Sequence, residues 1–399
     1  MTDVLPEELK SLFIIVVVAA LAPLITEACR RFLPVVVAEI LLGILIGPEV
    51  LEFAETGGLV TFMSTLGLIL LFFLAGLEID FERIRGTPLK LGAWGWALSA
   101  ALALSFGAVL QASGVIISDL LIGIALCTTA IGTLMPILRD SGELATPFGP
   151  FVLAAGAAGE FGPLVLMSIL LTTGDSPVEV VLLLVFFLVV SVAAAGLALR
   201  ARPARVIVTI ERTMRTSAQL ALRLSLAVLF GLAYLAYELG FDVILGAFAA
   251  GLVVGLVTKG EEAEEVRLKF EGIGFGFLVP IFFIVSGMNF DLDALFSSAS
   301  AILRLPFFLV MFLIVRGLPA LLLYRGTLPR DDRLGLAFYT ATALPLVVAI
   351  TTIGLETGRM STATAAALVG AAMVSVLVYP LVALGFRRRS EQLAPEPAT

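Results

Sequence analysis

The sequence predicts an all-α polytopic membrane protein of thirteen transmembrane helices, arranged as two inverted-topology repeats of six. Three observations predict it: the composition, the spacing of the apolar runs and the placement of the basic residues. Of 399 residues, 60% are hydrophobic and 14% charged, and the mean hydropathy is +1.09. A soluble domain carries about 45–50% apolar and about 25% charged residues, and a soluble fold of this size still needs a polar surface. At about 20 residues per spanning helix, thirteen spans leave only short loops and two tails.

Apolar runs bounded by Gly, Pro or charge fall at 11–28, 34–51, 58–77, 89–112, 119–138, 148–172, 178–199, 217–239, 241–258, 270–289, 301–324, 332–355 and 361–385. The second and ninth are short and glycine-rich. The opening MTDVLPEELK is acidic and reads as a tail before the first span, not as a cleavable signal. Loops after odd-numbered runs, with the C-terminal tail, hold 20 of the 25 Lys and Arg residues, against Lys10 and Arg359 on the other side. The positive-inside rule then predicts a multi-pass cell-membrane protein with its N-terminus outside and its C-terminus in the cytoplasm. The basic stretch 200–215 reads as a cytoplasmic connector resting on anionic headgroups. EEAEE at 261–265 reads as a solvated loop, and the tail 386–399 as a basic anchor that frays into a Pro-rich end.

Composition also excludes chemistry. Cys29 and Cys127 are the two cysteines, which gives no disulfide framework. Histidine is absent, so proton chemistry falls to carboxylates, and His-based zinc or haem sites are excluded. No cofactor is expected beyond the transported ions. The scarce basic residues cluster beside helix ends, so the partner is the lipid bilayer and not nucleic acid.

Two halves echo each other. VVVAEILLGILIGP (35–48) matches VILGAFAAGLVVGL (243–256), LILLFFLAGLEID (68–80) matches VPIFFIVSGMNFD (279–291), and DLLIGIALCTTAIGTLMP (119–136) matches DRLGLAFYTATALPLVVA (332–349). The offset is seven runs, an odd number, so the second copy is inverted. Repeat one is expected at about 11–172, a linker helix at 178–199 and repeat two at about 217–385. Paired inverted repeats are typical of secondary transporters. The fifth and twelfth runs, LCTTAIGTLMP and YTATALPLVV, each combine several Thr with a proline, Pro136 or Pro345. Two readings are open. They are Pro-kinked continuous helices with packed Thr, or discontinuous helices that aim backbone dipoles at a central ion site. On the second reading, Thr128, Thr129, Thr340 and Thr342 are candidate ion-binding oxygens.

Three charges fall deep in apolar runs. Glu160, in AAGAAGEFGPLVL, lies near the middle of the sixth run, where a carboxylate is costly and marks a proton or ion ligand. Such a group holds a proton in one state and a cation in another, and Gly156, Gly159, Gly162 and Pro163 around it leave room for an ion. The alternative is a neutral acid making a packing hydrogen bond. Arg316, in LVMFLIVRGLPALLL, needs a counter-charge or a wet cavity. It either offsets an empty cation site or bonds a helix-end carbonyl. Glu39, in VVVAEILLG, is a second titratable group or a structural partner of a broken-helix end. Arg304 and Arg223 reach the headgroups by snorkelling, and Asp80, Asp291 and Asp293 at run ends read as caps.

AEILLGILIGP (38–48), LILLFFLAGLEID (68–80), LGAFAAGLVVG (245–255) and FLVPIFFIVSGMNFD (277–291) resemble the membrane domain of bacterial monovalent cation:proton antiporters, the sodium/hydrogen exchanger-like and Kef-related proteins. The resemblance covers about residues 10–385. It implies a thirteen-helix homodimer with a dimerisation domain and a mobile core, in which two broken helices cross at 119–138 and 332–355. It maps the family's Asp-containing ion-binding pair onto Gly159-Glu160, a Gly-Glu variant that lacks the first polar member, and its basic core residue onto Arg316. Loss of the extra carboxylate implies electroneutral exchange. Kef-type relatives often carry a nucleotide-binding C-terminal domain, and that control is expected to be absent here unless a separate regulatory subunit supplies it.

The expected function is exchange of Na+ or K+ for H+ by alternating access, with Glu160 as the monovalent-cation (metal) ligand. The alternatives are an organic-anion/sodium symporter on a related inverted-repeat fold, or a K+ efflux system gated by a separate subunit. A channel would need a continuous polar stripe, which the chain lacks. Without histidine or a nucleophile–base pair, an enzyme is not expected.

Overall fold

The computed structural model describes residues 4–28, 33–112, 119–171, 177–200, 216, 218–258 and 260–393. Its regular structure, among the described residues, is helical. The main helices are α1 (Val4–Ala28), α2 (Val35–Ile46), α3 (Gly58–Leu77), α4 (Thr87–Ala112), α5 (Asp119–Leu126), α6 (Ile131–Asp140), α7 (Gly149–Leu171), α8 (Pro177–Arg200), α9 (Leu220–Glu238), α10 (Val243–Val257), α11 (Gly260–Ile273), α12 (Val279–Met288), α13 (Ala299–Phe312), α14 (Leu318–Leu323), α15 (Arg330–Ala341), α16 (Pro345–Glu356) and α17 (Thr362–Leu393). Wide π-type turns at Gly274–Leu278 and Leu313–Gly317 join α11 to α12 and α13 to α14.

The thirteen-span count and its two sixfold repeats do not stand. Among the described residues, ten helical stretches are long and apolar enough to cross a membrane. The apolar stretches at Val35–Ile46, Leu120–Met135 and Val243–Val257 are shorter. At 1.5 Å per residue, α2 and α10 rise about 18 and 22 Å, against about 30 Å of hydrocarbon. An apolar run does not distinguish a short, protein-buried helix from a span. Two stretches are discontinuous, α5–α6 and α15–α16. The spanning character itself is plain: α8 exposes Val178, Leu182, Val185, Phe186, Val189 and Val192, an apolar surface suited to lipid.

The chain divides into two compact units. The first comprises Met1–Pro23, Glu39–Asp80 and Leu164–Met288. In it α3 packs on α10 and α12, and α8 and α9 pack on α10. Small residues let these backbones approach. A Cβ placed on Gly246 of α10 would lie 2.5 Å from the Cα of Ala233 on α9, and one on Gly287 of α12 would lie 3.0 Å from the Cα of Gly43 on α2. The opening segment is no loose tail. Its helix starts at Val4, and the Glu8 carboxylate accepts from the Leu59 N–H at 3.4 Å, capping α3. EEAEE is likewise helical, not looped: it begins α11, where Glu264 pairs with Arg267 at 2.8 Å and Glu265 with Lys269 at 2.9 Å.

The second unit comprises Leu24–Ala38, Phe81–Pro163 and Asn289–Thr399. Here α17 packs on α13, α15 and α16, and α4 packs on α5 and α14. Leu134, Leu138, Phe148, Leu336 and Tyr339 bury one apolar cluster between α6, α7 and α15. Asp291 caps its short helix, accepting from the Ala294 N–H at 2.6 Å. Arg304, expected to snorkel, donates to the Thr364 hydroxyl at 3.2 Å. The tail expected from 386 is a continuation of α17 as far as Leu393, with Arg387 buried. Cys29, the connector at 201–215 and residues 394–399 lie outside the described residues.

The close approach at Gly246 has a direct test. Gly246→Val is expected to lower thermal stability in detergent by about 1–3 kcal/mol, the usual cost of overpacking. Gly231→Ala on α9, where a Cβ meets nothing within 4 Å, is the neutral control. Equal melting temperatures for the two variants would contradict this packing.

Candidate functional site

The site is built where the two helix interruptions of the second unit meet. The first interruption runs from Cys127 to Ala130. The Cys127 N–H still bonds the Gly123 and Ile124 carbonyls, then Thr129 and Ala130 leave the helix. The second spans Thr342–Leu344, and Pro345 occupies the first turn of α16. Proline is suited to that position because its missing N–H would have had no helical partner there. Pro136, by contrast, lies inside α6, past the first break.

Freed backbone groups in hydrocarbon each need a partner, and the structure supplies them. The Thr129 N–H donates to the Gly159 carbonyl of α7 at 2.9 Å, and the Ala130 N–H to the Thr342 carbonyl at 2.8 Å. The Ala343 N–H donates to the Ser375 hydroxyl of α17 at 3.1 Å. The two breaks are thus hydrogen-bonded to each other and to α7 and α17.

Arg316, 3% exposed, ties the crossing together. Its Nε donates to Thr129 Oγ1 at 2.9 Å and to the Thr340 carbonyl at 3.4 Å. Its Nη1 donates to Ser99 Oγ at 3.2 Å, and its Nη2 to the Ala155 carbonyl at 3.0 Å. It sits in the π-type turn, a feature frequent at functional sites. The positive charge lies beside Thr340, in the last turn of α15, where the helix dipole is negative. Of the four oxygens that Arg316 meets, one is a helix-end carbonyl, that of Thr340.

Glu160 is 4% exposed. Its Oε1 accepts from the Gly132 N–H at 3.4 Å, at the second residue of α6, so the carboxyl faces the positive end of that half-helix. Gly159 beside it has no room for a side chain. A Cβ there would lie 2.5 Å from both Arg316 Nη2 and Thr129 Oγ1. Glycine is what allows the guanidinium and the threonine to meet.

The four threonines all reach this region. Thr128 Oγ1 donates to the Ala125 carbonyl (2.8 Å), Thr129 Oγ1 to that of Thr340 (2.5 Å), Thr340 Oγ1 to those of Ala337 (3.1 Å) and Arg316 (3.2 Å), and Thr342 Oγ1 to that of Phe338 (3.1 Å). Each hydroxyl proton is therefore committed, and what remains on each oxygen is acceptor capacity. Beside Arg316 lies a small cavity lined by Trp96, Ala155, Arg316, Tyr324 and Thr340, of a size for about one water. Glu39 is equally buried but belongs to the first unit, whereas Glu160, Arg316 and the threonines belong to the second. Among the described residues, no group of three or more His, Cys, Asp and Glu gathers as a metal site.

Sequence reasoning missed Ser99 and Ser375. Each is a lone hydroxyl in an apolar helix, a weak signal that becomes legible only once its partner, Arg316 or the Ala343 N–H, is known.

A multi-pass helical fold with two interrupted helices meeting at buried charge is the layout of a secondary-active ion transporter. A family described as "Sodium/hydrogen exchanger, transmembrane" matches residues 16–384, and the chain belongs to that family, a class of cation/proton antiporter and not of enzyme. YjbQ of Bacillus subtilis, assigned by name to Na+/H+ antiport, is 28% identical over 96% of this chain and 64% of its own length. The chain thus spans less than two thirds of that relative. The Na+/H+-K+ antiporter GerN of Bacillus cereus is 28% identical over 66% of this chain and 67% of its own. The solved sodium proton antiporter MjNhaP1 of Methanocaldococcus jannaschii shares the fold, with TM-score 0.66 at 16% identity over 96% of this chain and 99% of that one.

Thr129 is the joint with two obligations, accepting from Arg316 and donating to Thr340. Thr129→Val keeps the shape but leaves Arg316 Nε and the Thr340 carbonyl only their long 3.4 Å bond to each other, at a total cost of about 1–3 kcal/mol, whereas Thr129→Ser keeps both bonds. Thermal unfolding in detergent is expected to rank wild type and Ser above Val. Equal stability of Ser and Val would contradict the network.

Proposed function

We propose that the chain exchanges a monovalent cation, Na+ or K+, for H+ across the cell membrane by alternating access, with Glu160 as the shared binding group. The observation that carries this reading is the position of one buried carboxyl at the crossing of two interrupted helices, against the N-terminal end of α6. A carboxylate so placed is costly to ionise alone. It is discharged either by a proton or by a cation, and one group cannot hold both. That competition couples the two fluxes. The threonine oxygens, with their protons committed to carbonyls, turn lone pairs toward a cation and supply no competing donor.

Arg316 provides the fixed positive charge of the site and Gly159 the room for it. The Gly159-Glu160 pair therefore carries one carboxylate where a paired-acid site carries two. A single titrating acid beside a permanent cation supports electroneutral exchange of one cation for one proton. Glu39 is a second protonatable group on this reading, held in the first unit. Access alternates as the Glu160-bearing unit shifts. An N-terminus outside, a C-terminus inside, homodimerisation and a separate regulatory subunit belong to the same reading. The name of GerN, which includes K+, keeps both cations in the proposed class.

The test is cation-driven proton movement in proteoliposomes loaded with each monovalent chloride in turn. Wild type is expected to move protons against a Na+ or K+ gradient, and Glu160→Gln to lose the coupled flux by a factor of at least about 10², as for removal of a group essential to turnover. Glu160→Asp is expected to retain part of it. Coupled flux at the wild-type rate in Glu160→Gln would overturn the assignment.

A further inference from the structure

The buried polar cluster at the far ends of the two site-forming half-helices has no part in the account above. Arg387 of α17 donates through Nε to Glu143 Oε2 at 2.9 Å and through Nη1 to Asp332 Oδ1. All three residues are buried, at 4%, 4% and 8% exposure for Arg387, Glu143 and Asp332. The guanidinium carbon also lies 4.2 Å from the centre of the Phe148 ring, a cation–π contact.

The placement of the two acids gives the cluster its meaning. Glu143 lies three residues beyond Asp140, the last residue of α6, across a turn made by Gly142 at φ 75°. Asp332 lies in the first turn of α15. The opposite end of α6 offers the Gly132 N–H to Glu160, and the opposite end of α15 presents the Thr340 and Thr342 carbonyls to Thr129 and Ala130. The same two half-helices therefore meet twice, once at the ion site and once at Arg387. Leu134, Leu138, Leu336 and Tyr339 are packed between those ends.

We propose that Arg387, Glu143 and Asp332 form a positioning clamp that sets the spacing of α6 and α15, and so the geometry of the cation site at their other ends. The inference rests on the function proposed above. A planar, bidentate guanidinium holds two carboxylates at a fixed separation, which a flexible ammonium cannot reproduce. A half-helix of ten or twelve residues is a stiff rod, so a change of angle at one end moves the other. Sub-ångström displacement of binding oxygens is enough to alter cation affinity. A clamp that positions the site alters the cation concentration needed for half-maximal exchange. A clamp that merely stabilises the fold alters how much active protein there is.

The experiment measures cation-driven proton flux in proteoliposomes over a range of Na+ and K+ concentrations, normalised to folded protein. Arg387→Gln is expected to raise the apparent KM for the cation about tenfold, with turnover changed by less than about twofold, and Arg387→Lys to recover part of the loss. Glu143→Gln and Asp332→Asn each remove one arm, and each is expected to raise the apparent KM about threefold. These two keep the test open should Arg387→Gln not fold. An unchanged KM in all variants that fold, with flux falling only in proportion to folded protein, would overturn the clamp. Wild-type flux and its loss in Glu160→Gln report separately on the underlying function, and the KM series is read against wild type either way.

Discussion

A broken helix inside a membrane is permitted only if every backbone group it frees finds a partner in the protein, because no water is there to supply one. The second unit depends on that constraint. The N–H groups of Thr129, Ala130 and Ala343 are answered by the Gly159 and Thr342 carbonyls and the Ser375 hydroxyl. Each bond joins segments far apart in sequence, so satisfying the breaks also fastens α7 and α17 to the crossing. The proposed ion site is a by-product of that solution. Two helix ends of opposite polarity come together, and the residues that complete them are an acid and a base.

The charges then fall in complementary places. Arg316 lies against the carbonyl end of α15, and Glu160 against the N–H end of α6. Arg316 donates four hydrogen bonds, to the Thr129 and Ser99 hydroxyls and the Thr340 and Ala155 carbonyls, so its charge is fixed in place. On the proposed function, Glu160 is the group whose charge either cargo meets. Gly159 belongs to this arrangement as much as either charge does, since any side chain there would push the guanidinium off Thr129.

Much of this was legible in the sequence, for reasons that can be stated residue by residue. Glu160 and Arg316 stood out because a charge in hydrocarbon is expensive and so seldom incidental. Pro345 marked its break correctly because proline fits the first turn of a helix. Pro136 did not, since the break ahead of Ile131 is set by bonds to Gly159 and Thr342, which lie 30 and more than 200 positions away in the chain. The helix count ran high because hydropathy registers that a segment is apolar, not whether its 12 or 15 residues reach across the bilayer. EEAEE was read as a loop from its charge, although Glu264 with Arg267 and Glu265 with Lys269 already had helical spacing. Arg387 was read as part of a basic tail because nothing local distinguishes it from Arg388 and Arg389. Only the fold brings Glu143 and Asp332 to it.

The central claim is that proton and cation compete for one carboxyl, and equilibrium binding tests it without any need for transport. Purified protein in weakly buffered detergent, with a pH-sensitive dye, should release protons when Na+ or K+ is added, in proportion to the sites filled. Glu160→Gln should release none, while Glu39→Gln should behave as wild type. Proton release that survives in Glu160→Gln would contradict the account, as would cation binding to wild type with no release at all.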